Sequence, residues 1–453
     1  MTITKQLVTF FFLSTLSGVA SSENLFQVFQ QAQKNDAKLR ASEAAYQAVL
    51  ERKPQALSAL EPRVNLTGTA TYTVQNTSRV RFRPDSRSGS ANVGYKLNLS
   101  KSIYNKSLNA QVDQADAAIL QARASFDADV QELMLRVSEA YLNYLKAKDS
   151  ANFAKLETNA IGRQLKQVKV YFHAGRSAIT DVKEARARYD QARAQEVSAL
   201  HQVQLAREGL RAITGLYYNN LLGAAENIPL LSPRPDNIVA WSRTAVNNSR
   251  LVKIAEQAVS VAQANVDIAR TGKGPTVDFI ASHSGSSTHG KPGLGQDRFD
   301  ASVGLQINIP LYDGGNTASR IREARLKLKQ SRYLLEAQKR SVIQQTRAAF
   351  LATGSGLAQL QALKQALLSN QTAVSATKIG FQVGTRTAVD VLLALREMFR
   401  SQRDYTNARY DFLLNTLKLK QAAGTLRIVD LRGMSNLLAK PRSASTRVVK
   451  YKR

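Results

Sequence analysis

The chain has 453 residues, 43% hydrophobic and 21% charged, the balance of a folded protein rather than a disordered one. Lys and Arg number 63 against 34 Asp and Glu, and the formal charge of +29 favours polyanionic partners without saying anything about fold. There is no cysteine, which excludes disulfides and thiolate chemistry.

At the N-terminus Lys5 precedes an apolar run over 7–16, and Gly18, Ala20, Ser21 and Ser22 follow. A short charged start, an apolar stretch too short for a bilayer and a small-residue end read as a secretory signal over 1–22, cleaved near Ala20. No later segment has the length of a transmembrane helix, so the mature protein is expected to be exported without one.

A helical pattern over 24–52 opens the mature chain, and Pro54 and Pro62 bracket its end. The period then changes to two. Val64, Leu66, Gly68, Ala70, Tyr72 and Val74 alternate with Asn65, Thr67, Thr69, Thr71 and Thr73. After an Arg- and Ser-rich loop over 79–90, Ala91, Val93, Tyr95, Leu97 and Leu99 resume the alternation, giving a strand pair at 62–100. A second pair at 276–309 carries Val277, Phe279 and Ala281, a Gly-, Ser- and His-rich loop over 284–298, and then Phe299 to Ile309. Each strand is expected to run about ten residues, enough to cross a bilayer when tilted.

Each pair leads into long helical patterns, 105–172 and 178–213 in the first case, 317–379 and 388–423 in the second. Small and apolar residues recur there at alternating steps of four and three, the spacing of coiled coils. The stretch from Asn105 to Tyr171 contains no proline, and at 1.5 Å per residue it would be roughly 100 Å long. Helices of that length suit a tube or rod, not a compact core. Residues 216–236, with Pro229, Pro233 and Pro235, read as a connector. Residues 427–453 read as a C-terminal segment whose basic tail, from Pro441 on, has no packing pattern.

The two halves, 23–215 and 237–426, are copies of one another. Phe172, Gly175, Asp181 and Val182 stand 209 positions before Phe381, Gly384, Asp390 and Val391, so the chain is an internal duplication. Half-buried sheets in a soluble domain would alternate in the same way as these strands. Export, and the lack of a helix whose apolar face obviously covers them, favour a transmembrane barrel. Four strands cannot close a barrel, since the smallest have about eight, so several copies would have to share one.

The segments Ala178-Ile-Thr-Asp-Val182, Ala185-Arg-Ala-Arg-Tyr-Asp190, Ile213-Thr-Gly-Leu-Tyr-Tyr218 and Val383-Gly-Thr-Arg-Thr-Ala-Val-Asp-Val-Leu392 resemble the TolC-type outer-membrane channels. Asn407-Ala-Arg-Tyr410 and Gly424-Thr-Leu426 add to the likeness, which runs from about Phe26 to Pro441. The resemblance implies an α+β membrane protein. It would be a homotrimer in which each chain gives four β-strands to one barrel in the outer-membrane lipid, continued by an α-helical barrel across the periplasm. It further implies docking with a periplasmic adaptor (a membrane fusion protein) and an inner-membrane transporter, and export of drugs or proteins.

The resemblance also places a gate at the periplasmic helix tips, where Thr180 and Asp181 of one helix pair meet Phe381 and Arg386 of the other. Asp181 and Arg386 have opposite charge and follow equivalent glycine turns, so an ion pair there would latch the closed state. Relatives commonly carry Tyr at the position of Phe381, so a hydroxyl contact is lost. Asp390 matches a ring of carboxylates that binds cations in the lumen. The second acidic position of that ring is Leu393 here, which implies a weaker cation site. Gly175 and the turn Val383-Gly384-Thr385 match the adaptor-docking tips.

Enzyme readings fail. Gly285-Ser-Ser-Thr-His-Gly-Lys-Pro292 nearly spells a phosphate-binding loop, but Pro292 stands where a hydroxyl must reach Mg²⁺ and a strand follows. His173, His201, His283 and His289 show no metal-ligand spacing, and no cofactor is implied. No aromatic platform interleaves the basic residues, so nucleic acid is not an expected partner. A secreted coiled-coil adhesin or structural protein is the alternative from another class.

Overall fold

In the computed structural model of the chain, residues 23–77, 86–218, 220–223, 232–290 and 295–438 are described. The expected signal over 1–22, part of the arginine-rich loop and the basic tail from Pro441 lie outside them.

Asn24 opens α1 (Leu25–Asn35) with a capping box, accepting from the Gln27 N–H at 2.9 Å while the Gln27 side chain accepts from the Asn24 N–H. The single helix expected over 24–52 is broken at Asp36, which caps α2 (Ala37–Leu50) through the Leu39 N–H at 2.7 Å. Asp36 is buried and accepts from both terminal guanidinium nitrogens of Arg136, at 2.9 and 3.1 Å. A short α3 (Arg52–Ser58), with Pro54 in its first turn, leads into the sheet.

Four strands form one antiparallel sheet in chain order: β1 (Arg63–Thr77), β2 (Ser86–Tyr104), β3 (Thr276–His289) and β4 (Gln296–Asn308). Strands of 13 to 19 residues exceed the ten expected. The sequence loops over 79–90 and 284–298 proved partly strand, because β2 starts at Ser86 and β3 continues to His289. The alternation is invisible there because glycine and serine replace large residues on the apolar face. The rings of Tyr95 and Phe299 fill that space instead, since a Cβ on Gly285 would stand 2.6 Å from Tyr95 Cε1 and 3.0 Å from Phe299 Cε1.

The register puts Val64, Leu99 and Ala281 in one row with Val303, and Leu66, Leu97 and His283 in the next with Ala301. One face is thereby apolar from β1 to β4, and Leu66, Phe299 and Val303 are 71%, 72% and 74% exposed on it. Polar residues interrupt it: Lys101 toward the helix end, Ser287 and Asp297 toward the far end, and His283 between, whose Nε2 meets the Tyr95 hydroxyl at 3.0 Å. The opposite face carries Asn, Ser and Thr. No helix covers either face, and the outer edges of β1 and β4 have no partner strand among the described residues.

From the sheet descend α4 (Lys106–His173) and α8 (Asn316–Gln382), of 68 and 67 residues, each turning at its far end into α5 (Ile179–Thr214) and α9 (Ala388–Ala422). Between the halves come α6 (Ile238–Asn248) and α7 (Arg250–Thr271), and α10 (Ile428–Leu438) closes the chain. The long helices pack side by side: α4 with α5, α7 and α9, and α8 with α7 and α9. Among the described residues no helix is long and apolar enough to cross a membrane.

The largest core sits midway along α4, where Leu133, Val137, Tyr141 and Leu145 meet Leu25 and Phe29 of α1 and Leu413 and Leu417 of α9. The described parts of the connector and of the C-terminal segment contribute to it. Tyr218 and Leu221 are buried there, as are Leu431, Met434 and Leu438 of α10. The Tyr141 hydroxyl donates to the Leu222 carbonyl at 2.7 Å and to Glu23 O at 3.2 Å, and Glu23 and Leu221 form a parallel bridge. Short segments of this kind carry too few turns to show a period.

Candidate functional site

The candidate site is the pair of helix tips farthest from the sheet, and both are built by the same local rules. At the end of α8, the Gly384 N–H donates to the Phe381 carbonyl at 3.3 Å and the Thr385 N–H to the Gly380 carbonyl at 2.8 Å. The end of α4 repeats this, with Gly175 to Phe172 at 3.0 Å and Arg176 to Tyr171 at 2.8 Å. This is the Schellman closure, and it needs a left-handed residue, here Gly175 at φ 68° and Gly384 at φ 86°.

The chain then restarts as a helix through the duplicated aspartate. Thr387 caps α9: its hydroxyl accepts from the Asp390 N–H at 3.2 Å, and its N–H donates to Asp390 Oδ2 at 2.9 Å. In the first copy Ala178 stands at the cap, and Asp181 Oδ2 accepts from the Ala178 N–H at 3.3 Å and the Ser177 hydroxyl at 2.7 Å. Two of the residue pairs shared across the duplication therefore have local work: glycine closes one helix and aspartate opens the next. The Thr387 N–H and hydroxyl hold the Asp390 carboxyl below the usual carboxylate range, and the neighbouring Arg386 charge adds to this.

The two tips touch. The Tyr171 and Phe381 rings lie 5.5 Å apart, and the Arg176 guanidinium sits 5.3 Å from the Tyr171 centroid. One helical turn further in, Leu392 of α9 seats among Ile161, Leu165, Ala185 and Ala192 of α4 and α5. Beside Phe381 a cavity of about 260 Å³ opens between α4, α8 and α9, lined by Arg163, Gln164, Gln167, Lys378 and Gln382. The Gln164 amide nitrogen is buried there without a hydrogen-bond partner.

Thr180, Gly175, Val383, Gly384, Thr385 and Arg386 are exposed at the tips; Asp181, Phe381 and Asp390 are half-buried. The structure does not bring Asp181 and Arg386 together within one chain. Asp181 faces its own helix start, and Arg386 lays its side chain over Gly380, where a Cβ would meet Arg386 Cγ at 2.7 Å. Sequence reasoning missed Tyr171, Ser177, Gly380 and Thr387. Thr387-Ala-Val-Asp390 is a legible capping-box pattern, whereas the shift of the serine to 177 hides it in the first copy. Among the described residues no cluster of His, Cys, Asp or Glu could hold a metal.

The sequence profile of the family described as outer membrane efflux protein matches residues 28–216 and 241–425, one block in each half. The chain is 36% identical over 445 residues to outer membrane protein TolC of Escherichia coli, covering 96% of this chain and 88% of that protein. It is 27% identical over 427 residues to alkaline protease secretion protein AprF of Pseudomonas aeruginosa, covering 93% and 88%. Among solved structures, CusC, described in terms of folding and transmembrane channel formation, superposes with a TM-score of 0.74 at 18% identity, over 89% of this chain and 92% of that one.

Proposed function

Since the chain belongs to the outer membrane efflux protein family, and so is an outer-membrane channel of efflux and type I secretion, we propose that three copies close one conduit. The observation that carries this is the four-stranded sheet with an exposed apolar face and two unpaired edges. An edge left open in an apolar bilayer is not viable, because each unpaired N–H and C=O costs several kcal/mol. Joining β4 of one copy to β1 of the next removes the edges. Two copies would give eight strands, a barrel that side chains fill; three copies give twelve, enough to leave a lumen. The Asn, Ser and Thr face then lines that lumen and the Leu, Val and Phe face meets lipid.

Below the barrel, α4, α5, α7, α8 and α9 of the copies continue as the wall of a tube crossing the periplasm. Its far end is the gate. Arg386 of one copy latches against Asp181 of another, since only Oδ2 of Asp181 is engaged among the described residues. A partly exposed pair is worth only ~0–1 kcal/mol, weak enough for docking of an adaptor at Gly175, Val383, Gly384 and Thr385 to release it. Asp390 gives the lumen a ring of carboxylates that gathers cations. An inner-membrane transporter completes the assembly and selects the cargo. The particle mass in detergent tests this reading: three chains per particle are expected, and a uniform population of single chains would refute it.

A further inference from the structure

Where the strands meet the helices, large apolar side chains stand in the open. Leu311 and Tyr312, between β4 and α8, are 92% and 91% exposed, and Ile103, Tyr104 and Ile309 flank the same rim. Exposed scattered apolar residues need no explanation, but a contiguous set beside an apolar sheet face does. The strand register fixes the direction in which part of this set points. Lys101 pairs with Phe279, which pairs with Leu305, so Lys101 shares the outward apolar face with them. Tyr104 follows the irregularity at the end of β2 and pairs with Val277, on that same face.

Cations punctuate this rim. Lys101, Lys106 and Lys273 are all exposed, and none is in an ion pair among the described residues. The carboxylates near them are otherwise disposed. Asp278 pairs with Ser102 and Gln306 on the opposite face of the sheet. Asp313 is spent on the start of α8, accepting from the Thr317 N–H at 2.7 Å and the Gly315 N–H at 3.0 Å. Asp313 keeps its negative charge in that role and feels the Lys273 ammonium, so one carboxylate stands against the three lysines of the rim.

We propose that this rim binds anionic phospholipid headgroups of the periplasmic leaflet, with Lys101 and Lys273 on the phosphate and Leu311 and Tyr312 in the boundary beneath it. The inference rests on the membrane reading of the strands given above. The occupant is a bilayer surface and not another copy, because Lys101 and Tyr104 lie on the outward face of the sheet, whereas copies join at the edges of β1 and β4. A lysine stem lies along apolar surface while its ammonium reaches the headgroup layer, and aromatic rings collect at that same depth. This gives part of the chain's cationic excess a purpose, since lysines are drawn to an anionic lipid surface.

The test uses the full assembly in phosphatidylcholine nanodiscs with and without phosphatidylglycerol, followed by native mass spectrometry of the lipid that stays bound. The wild type should retain phosphatidylglycerol over phosphatidylcholine by on the order of tenfold. Lys101→Gln with Lys273→Gln should bring retention to parity while the assembly stays intact. Leu311→Ser with Tyr312→Ser should lower retention of both lipids. Equal retention by the wild type, or full preference in the lysine variant, would overturn the proposal. So would dissociation of the Leu311→Ser, Tyr312→Ser variant into single chains, which would assign those side chains to contacts between copies. Failure of the wild type to enter the nanodiscs at all would instead strike the membrane reading itself.

Discussion

Arg386→Ser is the most informative change at the tips, because the structure shows that it removes a charge without undoing the turn. The Thr385 and Arg386 backbone N–H groups both donate to the Gly380 carbonyl, at 2.8 and 3.2 Å, and neither bond involves the arginine side chain. Serine keeps the Cβ that already stands beside Gly380. Asp390 stays ionised at neutral pH, since its first support is the Thr387 N–H and the Arg386 charge is a lesser one. On the proposed trimeric reading, what is lost is the latch to Asp181 of another copy. At ~0–1 kcal/mol per exposed pair and three pairs per trimer, the closed state loses up to ~3 kcal/mol, or up to ~10²-fold in the open population. Single-channel recording in planar bilayers should show higher mean conductance. In an Asp181→Asn background Arg386→Ser should add nothing further, because both changes cut one interaction. Unchanged conductance in Arg386→Ser, or simple additivity of the two, would refute the latch.

Three other outcomes follow from the same coordinates. Asp390 has Leu393 one helical turn along α9, so trivalent cations should block the current weakly, and Leu393→Glu should strengthen the block by at least several-fold in conductance titrations. Glu157 is buried in α4, and burial pushes its carboxyl up, partly offset by Arg403 and Arg396 and reinforced by Glu397. A raised folded-state value means that its stabilising contribution is full below the unfolded value of 4.5 and fades as pH rises through the folded one. Glu157→Gln should therefore raise the thermal midpoint at pH 7 and flatten its fall between pH 4 and 7; a lower midpoint at pH 7 would contradict this. Gly424, at φ 69°, lies against the Asn248 carbonyl where α9 meets the α6–α7 corner, with no room for a Cβ. Gly424→Ala combines left-handed strain with a backbone overlap, and should cost more than ~2 kcal/mol in denaturant melts.

Much of this architecture is written in periodicity. Long, strongly patterned elements declare themselves, as in the runs from Leu108 to Tyr144 and from Val64 to Val74, because period 3.5 and period 2 persist over many residues. Pieces that depend on contacts distant in sequence do not. Tyr218, Leu221 and α10 are held by α1, α4 and α9, and neither their composition nor their spacing separates them from linker. The far ends of β2 and β3 were hidden because Gly89 and Gly285 leave space on the apolar face for rings from neighbouring strands. At the tips the recurrence of Gly and Asp-Val was plain, but its first meaning is helix termination and capping. A sequence shows that Asp181 recurs as Asp390; only coordinates show that each carboxylate first serves its own helix start.

The claim on which the rest stands is that the two sheet edges are closed by other copies of the chain. Hydrogen exchange of backbone amides in the detergent-solubilised channel, read separately for 63–77 and 296–308, tests it most directly. If β1 of one copy pairs with β4 of another, both edge strands should be protected as strongly as β2 and β3. Amides on the outer edges of β1 and β4 that exchange at the rate of unpaired backbone, beside protected β2 and β3, would contradict it.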